Sequence, residues 1–210
     1  MNNTTHEIRI VNDSNSPKTY GIYTGPTKVT SGGFQRASSI LWHKTDELQP
    51  GDETTFEYSP EIHGFVGTSN TPVVLGDELN QGTRFLVEDR RDMSGSNMAS
   101  TPRDTFTMAT VTGFPSPNRF VVGVARKDML SPDGRVSPVA AVELVSGLAA
   151  LITPSHKIIV SALSEPRERP GWVHRGPFAR NTYASVDFAG MQSRADVVEA
   201  NNGSFKVECF

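Results

Sequence analysis

Four short segments of the chain place an aromatic residue beside a hydrogen-bond donor. They are Leu41-Trp42-His43, Glu61-Ile62-His63-Gly64-Phe65, Arg84-Phe85 and Trp172-Val173-His174-Arg175. Aromatic rings provide apolar walls for a ligand, and imidazole or guanidinium groups donate hydrogen bonds to its oxygen atoms. The combination predicts a pocket for a mostly apolar molecule that carries a few oxygen atoms.

The candidate site residues divide into donors and walls. The candidate donors, which would carry any catalysis, are His43, His63, Arg84, His174 and Arg175. The candidate walls of a substrate-binding pocket are Tyr20, Tyr23, Trp42, Phe65, Phe85 and Trp172. For Trp42, which ends an apolar run, a role as a core anchor is favoured over a role in the pocket. Trp172 lies among prolines and arginines, where an exposed indole is costly, so a pocket wall and a structural role are equally favoured.

Other kinds of site find little support in the residues. The five histidines show no metal-ligand spacing and Cys209 is the single cysteine, so we expect no metal. A Gly-x-Ser-x-Gly elbow is absent, and an all-β chain lacks the strand–loop–helix context of a nucleotide-binding loop. We expect Asn12, Asp13 and Ser14 to hold a turn through side-chain hydrogen bonds, without a chemical role.

The bulk composition narrows the class of protein and its partners. The 210 residues include 20 Lys and Arg against 23 Asp and Glu, a net charge of −3. This balance argues against a nucleic-acid partner, which requires a basic footprint. No apolar run reaches the roughly 18–20 residues of a membrane span, and residues 1–7 lack the features of a signal peptide. We therefore expect one cytoplasmic domain over residues 1–210 with no membrane span.

Short apolar runs between turn residues predict an all-β fold, either an antiparallel β-sandwich or a jelly-roll or barrel-like form, with about 12–13 short strands. The predicted strands are Glu7–Asn12, Thr19–Tyr23, Ser38–His43, Thr54–Tyr58, Gly64–Thr68, Val73–Leu75, Arg84–Glu88, Thr105–Val111, Arg119–Ala125, Ala140–Val145, Lys157–Leu163, Tyr183–Phe188 and Phe205–Glu208. At most one short helix is expected, within Val139–Ile152. The loops at 89–103 and 165–180 are expected to be mobile, and long loops of this kind often carry function.

Short motifs spread over nearly the whole chain resemble a family of small fungal proteins. They are Ile10-Val-Asn-Asp-Ser14, Leu41-Trp42, Phe65-Val-Gly-Thr-Ser69, Phe120-Val-Val-Gly-Val124, Val186-Asp-Phe-Ala-Gly190 and Asn202-Gly-Ser-Phe205. Proteins that look like this one include the hetero-Diels–Alderases of tropolonic sesquiterpenoid (meroterpenoid) biosynthesis. The resemblance implies a pericyclase that joins a tropolone o-quinone methide to a humulene-type terpene without a cofactor. It transfers no site residues to this chain.

Two other classes of function stay open. A non-catalytic module that binds a small molecule or a carbohydrate, as lectins do, would use similar aromatic and polar groups at a shallower site. A structural or oligomeric protein would bury the Trp172 loop against a second copy, as in a homodimer. For the pericyclase, the expected partner is a small apolar substrate of terpenoid or polyketide origin.

Overall fold

The computed structural model describes residues 5–31, 33–69, 106–109, 119–128, 136–143, 149–164, 167–174, 178, 182–188 and 191–210. These ranges contain fifteen β-strands and no helix, so they also contain no helix that could cross a membrane. The strands are β1 (His6–Asp13), β2 (Tyr20–Thr24), β3 (Lys28–Ser31), β4 (Gly33–Arg36), β5 (Ser38–Ser39), β6 (His43–Lys44), β7 (Glu53–Ser69), β8 (Phe106–Ala109), β9 (Arg119–Asp128), β10 (Val136–Glu143), β11 (Ala149–Thr153), β12 (Ile158–Ala162), β13 (Tyr183–Val186), β14 (Arg194–Ala200) and β15 (Phe205–Cys209). The all-β class predicted from the sequence is confirmed.

The apolar runs located most of these strands but not their boundaries. The runs predicted as two strands at Thr54–Tyr58 and Gly64–Thr68 form one strand of 17 residues, β7. Within Val139–Ile152 the described residues are strand, in β10 and β11, so no helix forms in them. Strands β3, β4, β11 and β14 were not predicted. The strands predicted at Val73–Leu75 and Arg84–Glu88 and the loop at 89–103 lie outside the described residues.

The strands form three sheets, of seven, four and four strands. The seven-stranded sheet has the order β15-β14-β1-β7-β9-β10-β5, and the other two have the orders β4-β3-β11-β8 and β13-β12-β2-β6. Neighbouring strands are antiparallel except β1 and β14, which pair in parallel from Glu7 with Arg194 to Asp13 with Ala200. A parallel pair needs a long crossover, and here the crossover is most of the chain. The result is a sandwich-like arrangement.

The main core joins the seven-stranded sheet to the sheet that contains β2. Ile8 and Ile10 of β1 are fully buried and pack in one cluster with Ile22 of β2 and Val160 of β12. Between them in sequence, Arg9 points to the opposite face, where it pairs with Glu53 and with Asp196. This alternation is the period-2 pattern expected of a strand with one covered face.

The turn after β1 is held by the side chain of Asn12, which is fully buried. Its amide nitrogen Nδ2 donates to the carbonyl oxygens of Ser16 (3.0 Å) and Leu48 (2.9 Å). Its Oδ1 accepts from the backbone N–H (3.1 Å) and the hydroxyl (2.6 Å) of Ser14. The predicted structural role of Asn12 and Ser14 is confirmed, because the Asn12 amide bonds to Ser14 and Ser16 within the turn and to Leu48 beside it.

Candidate functional site

Side chains on the two faces of strand β2 pack in two separate hydrophobic clusters. Tyr20 and Ile22 are fully buried in the main core, where the Tyr20 ring lies edge-on to Phe205 with centroids 6.3 Å apart. Tyr23 belongs to a separate cluster on the other face. Residues at an odd spacing in a strand point to opposite faces. Tyr20, predicted from the sequence as a pocket wall, is therefore a core residue that cannot share a pocket with Tyr23.

The cluster on the Tyr23 face, which we call the outer cluster, is the candidate site. Its buried members are Tyr23, Leu41 and Ile159, and Leu163, Phe178 and Tyr183 pack against them while keeping partial exposure. His174 completes it: its ring stacks on Phe178 at 4.1 Å between centroids and meets Tyr23 at 5.1 Å. The rings of Tyr23 and Phe178 are also 5.1 Å apart. Edge-to-face and stacked contacts at these distances are favourable.

A glycine in β2 lets the outer cluster close over the strand. A Cβ atom at Gly21 would lie 2.6 Å from Cδ2 of Leu163, 2.9 Å from Cδ1 of Leu41 and 2.9 Å from Cε2 of Tyr23. Any larger residue would push these side chains outward. The missing side chain therefore sets how closely the apolar wall approaches the sheet.

Part of the long loop predicted at 165–180 is fixed against the rest of the chain by backbone hydrogen bonds. The Leu41 N–H donates to the Trp172 carbonyl, the Gly171 N–H to the Leu41 carbonyl and the His174 N–H to the Ser39 carbonyl, each at 2.8 Å. Gly171, with φ of +93°, makes the turn that directs the chain into this pairing. These bonds place His174 against Tyr23.

Trp172 lies in the same extended segment as His174, two residues before it. Side chains two residues apart in an extended segment point to the same side, while Val173 between them is buried. Trp172 is partly exposed, yet its Nε1 is buried and has no hydrogen-bond partner among the described residues. The indole therefore lies partly exposed at the boundary of the fold.

Two polar groups of the outer cluster, the Tyr23 phenol and the His174 imidazole, are held in their neutral forms. Burial, together with the nearby charge of Glu168, raises the pKa of Tyr23 well above its usual range. Burial lowers the pKa of His174. The Tyr23 hydroxyl donates to Oε2 of Glu168 at 3.4 Å, which is long for such a bond, and Lys44 Nζ donates to the Glu168 carbonyl at 3.1 Å. At neutral pH Tyr23 is therefore a protonated phenol and His174 an uncharged imidazole.

The remaining predicted site residues lie elsewhere. Trp42 is buried in the main core, 5.0 Å from Phe56 between ring centroids, and His43 stacks on the same Phe56 at 5.1 Å. His63 is half-buried in β7 opposite Ala125, and Phe65 in the same strand pairs with Gly123. The candidates Arg84, Phe85 and Arg175 lie outside the described residues. Of the predicted set, the described structure brings Tyr23 and His174 into contact and places Trp172 beside them.

Among the side chains that form the outer cluster or contact it, sequence reasoning missed Leu41, Ile159, Leu163, Phe178, Tyr183 and Glu168. Phe178 lies four residues after His174 in a loop, where no periodicity links the two. Tyr183 begins a predicted strand, but the sequence does not show which face of the sheet it occupies. That face is set by the pairing of Tyr183 with Ser161 of β12. The aromatic side chain of Phe178, close in sequence to Trp172 and His174, was the one feature that could have predicted it as a site residue.

Within the described ranges, no group of three or more His, Cys, Asp or Glu side chains is placed to hold a metal ion. The outer cluster offers apolar contact and the neutral hydrogen-bonding groups of Tyr23 and His174, beside the Glu168 carboxylate. Comparison of the chain with protein-family models, with curated proteins and with solved structures finds no match.

Acidification is expected to destabilise the fold through His174 and His6. Burial lowers the pKa of both below the ordinary 6.5, with a further contribution from Arg126 at His6. The unfolded chain therefore binds more protons, and stability that is complete above about pH 6.5 is lost as the pH falls through the folded-state values. Each histidine contributes at most about 1.4 kcal/mol per pH unit, reduced by its partial exposure.

Urea unfolding at pH 7.5 and pH 5.5 measures this loss. Replacing His174→Asn is expected to make the loss between the two pH values smaller than in the wild type, since one titrating group is removed. An unchanged loss in the variant would show that His174 does not take part.

Proposed function

We propose that the protein is a cofactor-independent hetero-Diels–Alderase that joins a tropolone o-quinone methide to a humulene-type terpene. The observation that carries the proposal is the outer cluster, in which a protonated Tyr23 phenol lies within a wall of apolar and aromatic side chains. The sequence motifs that resemble fungal hetero-Diels–Alderases support the same reaction class.

The reaction requires little more than orientation and one or two donors. The methide carbon forms a C–C bond and the carbonyl oxygen forms a C–O bond to the two alkene carbons. The alkene π bond and the C=C and C=O π bonds of the heterodiene are broken, a new C=C bond forms between the two central atoms of the heterodiene, and no proton or leaving group is transferred. Holding two reactants in a near-attack geometry can supply about 7–11 kcal/mol in the best-oriented cases. A donor aimed at the oxygen where negative charge grows lowers the barrier further.

The residues of the outer cluster have roles that fit this chemistry. Leu41, Ile159 and Phe178 would form the apolar wall for the terpene. The Tyr23 hydroxyl would donate to the carbonyl oxygen of the heterodiene in place of its long bond to Glu168. His174, uncharged and stacked on Phe178, would orient the flat tropolone ring by contact.

The test is a comparison of the reaction with and without the protein. A tropolone quinone methide is generated in the presence of humulene, and rate and product stereochemistry are followed by chiral chromatography. We expect a rate increase of at least about tenfold, equivalent to about 1.4 kcal/mol of barrier, and one dominant stereoisomer. A rate and isomer ratio equal to those of the protein-free mixture would overturn the proposal for this substrate pair.

A non-catalytic binding module is the competing function, and the same experiment separates it. Ligand binding at the outer cluster without rate increase or stereocontrol would establish a carrier. The apolar character of the buried wall favours a terpenoid over a sugar, because sugars bind to shallow sites that offer many polar contacts.

A further inference from the structure

Arg126 in β9 is a buried cation that lacks a counterion among the described side chains. Its exposed fraction is 1%. Nη1 donates to the Pro60 carbonyl at 3.3 Å and Nη2 to the Ser155 carbonyl at 3.1 Å, whereas Nε is buried without a hydrogen-bond partner in the described residues. A buried charge is costly unless it is paired and hydrogen-bonded, and the two carbonyl oxygens leave the Nε donor of Arg126 unused.

Aromatic rings surround the guanidinium group. Its Cζ lies 5.9 Å from the ring centroid of Trp42 and 5.6 Å from that of Tyr58, which are cation–π distances. The Nε1 of Trp42 is also buried and has no hydrogen-bond partner in the described part of the chain. Burial lowers the pKa of Arg126 to about 10, so the group stays charged at neutral pH.

The backbone departs from regular pairing on both sides of Arg126. The register between β7 and β9 shifts between Tyr58 and Ile62, and Ile62 is the residue opposite Arg126. The register between β10 and β9 shifts between Pro138 and Ala140, next to Ser137, which is opposite Arg126 on that side. Such bulges redirect side chains and are frequent beside functional sites.

We propose that Arg126 and Trp42 bind a delocalised oxygen anion, either a carboxylate or the anion of a tropolone, through Arg126 Nε and Trp42 Nε1. A planar oxyanion matches the planar guanidinium, and the indole adds a second donor. The surrounding rings suit a ligand with an aromatic or apolar body. The competing occupant is an ordered water molecule, which would satisfy the same donors without selecting for charge. The site is distinct from the outer cluster, so the test of anion binding and the test of the proposed cycloaddition can fail independently.

The two tryptophans of the chain allow a direct test by NMR. The full ¹⁵N-labelled chain has two indole N–H signals, which the Trp172→Phe variant assigns. Benzoate and tropolone are titrated at a pH at which both are anions, with methyl benzoate as the uncharged probe. We expect a saturable shift of the Trp42 signal with one or both anions and none with methyl benzoate. Comparison of the two affinities shows whether the site prefers a carboxylate or the anion of a tropolone.

Variants of Arg126 test its part in the site. Arg126→Gln is expected to weaken anion binding by about tenfold or more, the size expected for losing a charge-assisted hydrogen bond. Arg126→Lys keeps the charge but removes the planar group and is expected to weaken binding as well. The matched control is Arg194→Gln, which removes an exposed cation paired with Glu7 and should leave binding unchanged.

Three outcomes would overturn the proposal. They are the absence of a saturable Trp42 shift, a shift confined to Trp172, and an equal response to methyl benzoate. The first points to a buried water and the second to binding at the outer cluster. If Arg126→Gln does not fold, as judged by circular dichroism, the wild-type titration and the Arg126→Lys variant test the proposal instead.

Discussion

Replacing Trp42 by alanine is expected to lower the free energy of unfolding by about 3–5 kcal/mol, the usual cost of removing a large aromatic side chain from a core. Trp42 is 2% exposed and lies edge-on to both Phe56 and Tyr58, at 5.0 and 5.5 Å between centroids. The change opens a cavity between these rings and also removes the indole beneath the Arg126 guanidinium. Urea unfolding followed by circular dichroism measures the loss.

Trp172→Ala is the matched control, because it removes the other tryptophan from a partly exposed position. We expect it to unfold cooperatively near the wild-type midpoint and to lower turnover in the cycloaddition assay. A loss of stability as large as that of Trp42→Ala would contradict the assignment of Trp172 to the edge of the site. Full stability of Trp42→Ala would contradict its place in the core.

The second expected result concerns Tyr23→Phe, which should slow the proposed cycloaddition by about 10²-fold, the size found for removing one preorganised donor. The phenyl ring remains, so the contacts with His174 and Phe178 are kept. The only bond lost is the 3.4 Å hydrogen bond to Glu168, so we expect the free energy of unfolding to change by no more than about 1 kcal/mol. Initial rates with the generated quinone methide measure the effect.

Tyr20→Phe controls for the loss of a buried phenol on the same strand. Its hydroxyl lies on the opposite face of β2, where burial and the neighbouring Glu199 carboxylate raise the pKa of Tyr20 above its usual range. We expect it to leave the cycloaddition rate unchanged. If Tyr20→Phe slows the reaction while Tyr23→Phe does not, the donor is not in the outer cluster.

Local patterns in the chain were enough to predict the class of fold and its turns. Ile8 and Ile10 alternate with Arg9 in the sequence. In the structure both isoleucines are buried, and Arg9 forms ion pairs with Glu53 and Asp196 on the opposite face. Asn12 Oδ1 accepts from both the backbone N–H and the hydroxyl of Ser14, two residues further along the chain. These features depend on neighbours in sequence, which is why reasoning from residue types succeeds for them.

The candidate site was only partly predictable, since each tyrosine of β2 fits the same apolar pattern. The spacing of Tyr20 and Tyr23 already requires opposite faces, but it does not say which face the larger sheet covers. For the same reason Arg126, which continues the apolar run of β9, gave no sign of being buried between Trp42 and Tyr58. Burial of a charged residue depends on partners far away in the chain.

By itself, the sequence determined that the chain forms strands, where its first turn lies and which side chains alternate along each strand, because these properties follow from local sterics and hydrogen bonding. Only the tertiary structure decided that Trp172 and His174 pair with residues 39–41 and thereby reach Tyr23. It also decided the parallel pairing of β1 with β14. In both pairings the segments lie more than a hundred residues apart in the chain. No local pattern specifies which distant surface will cover which face of a strand.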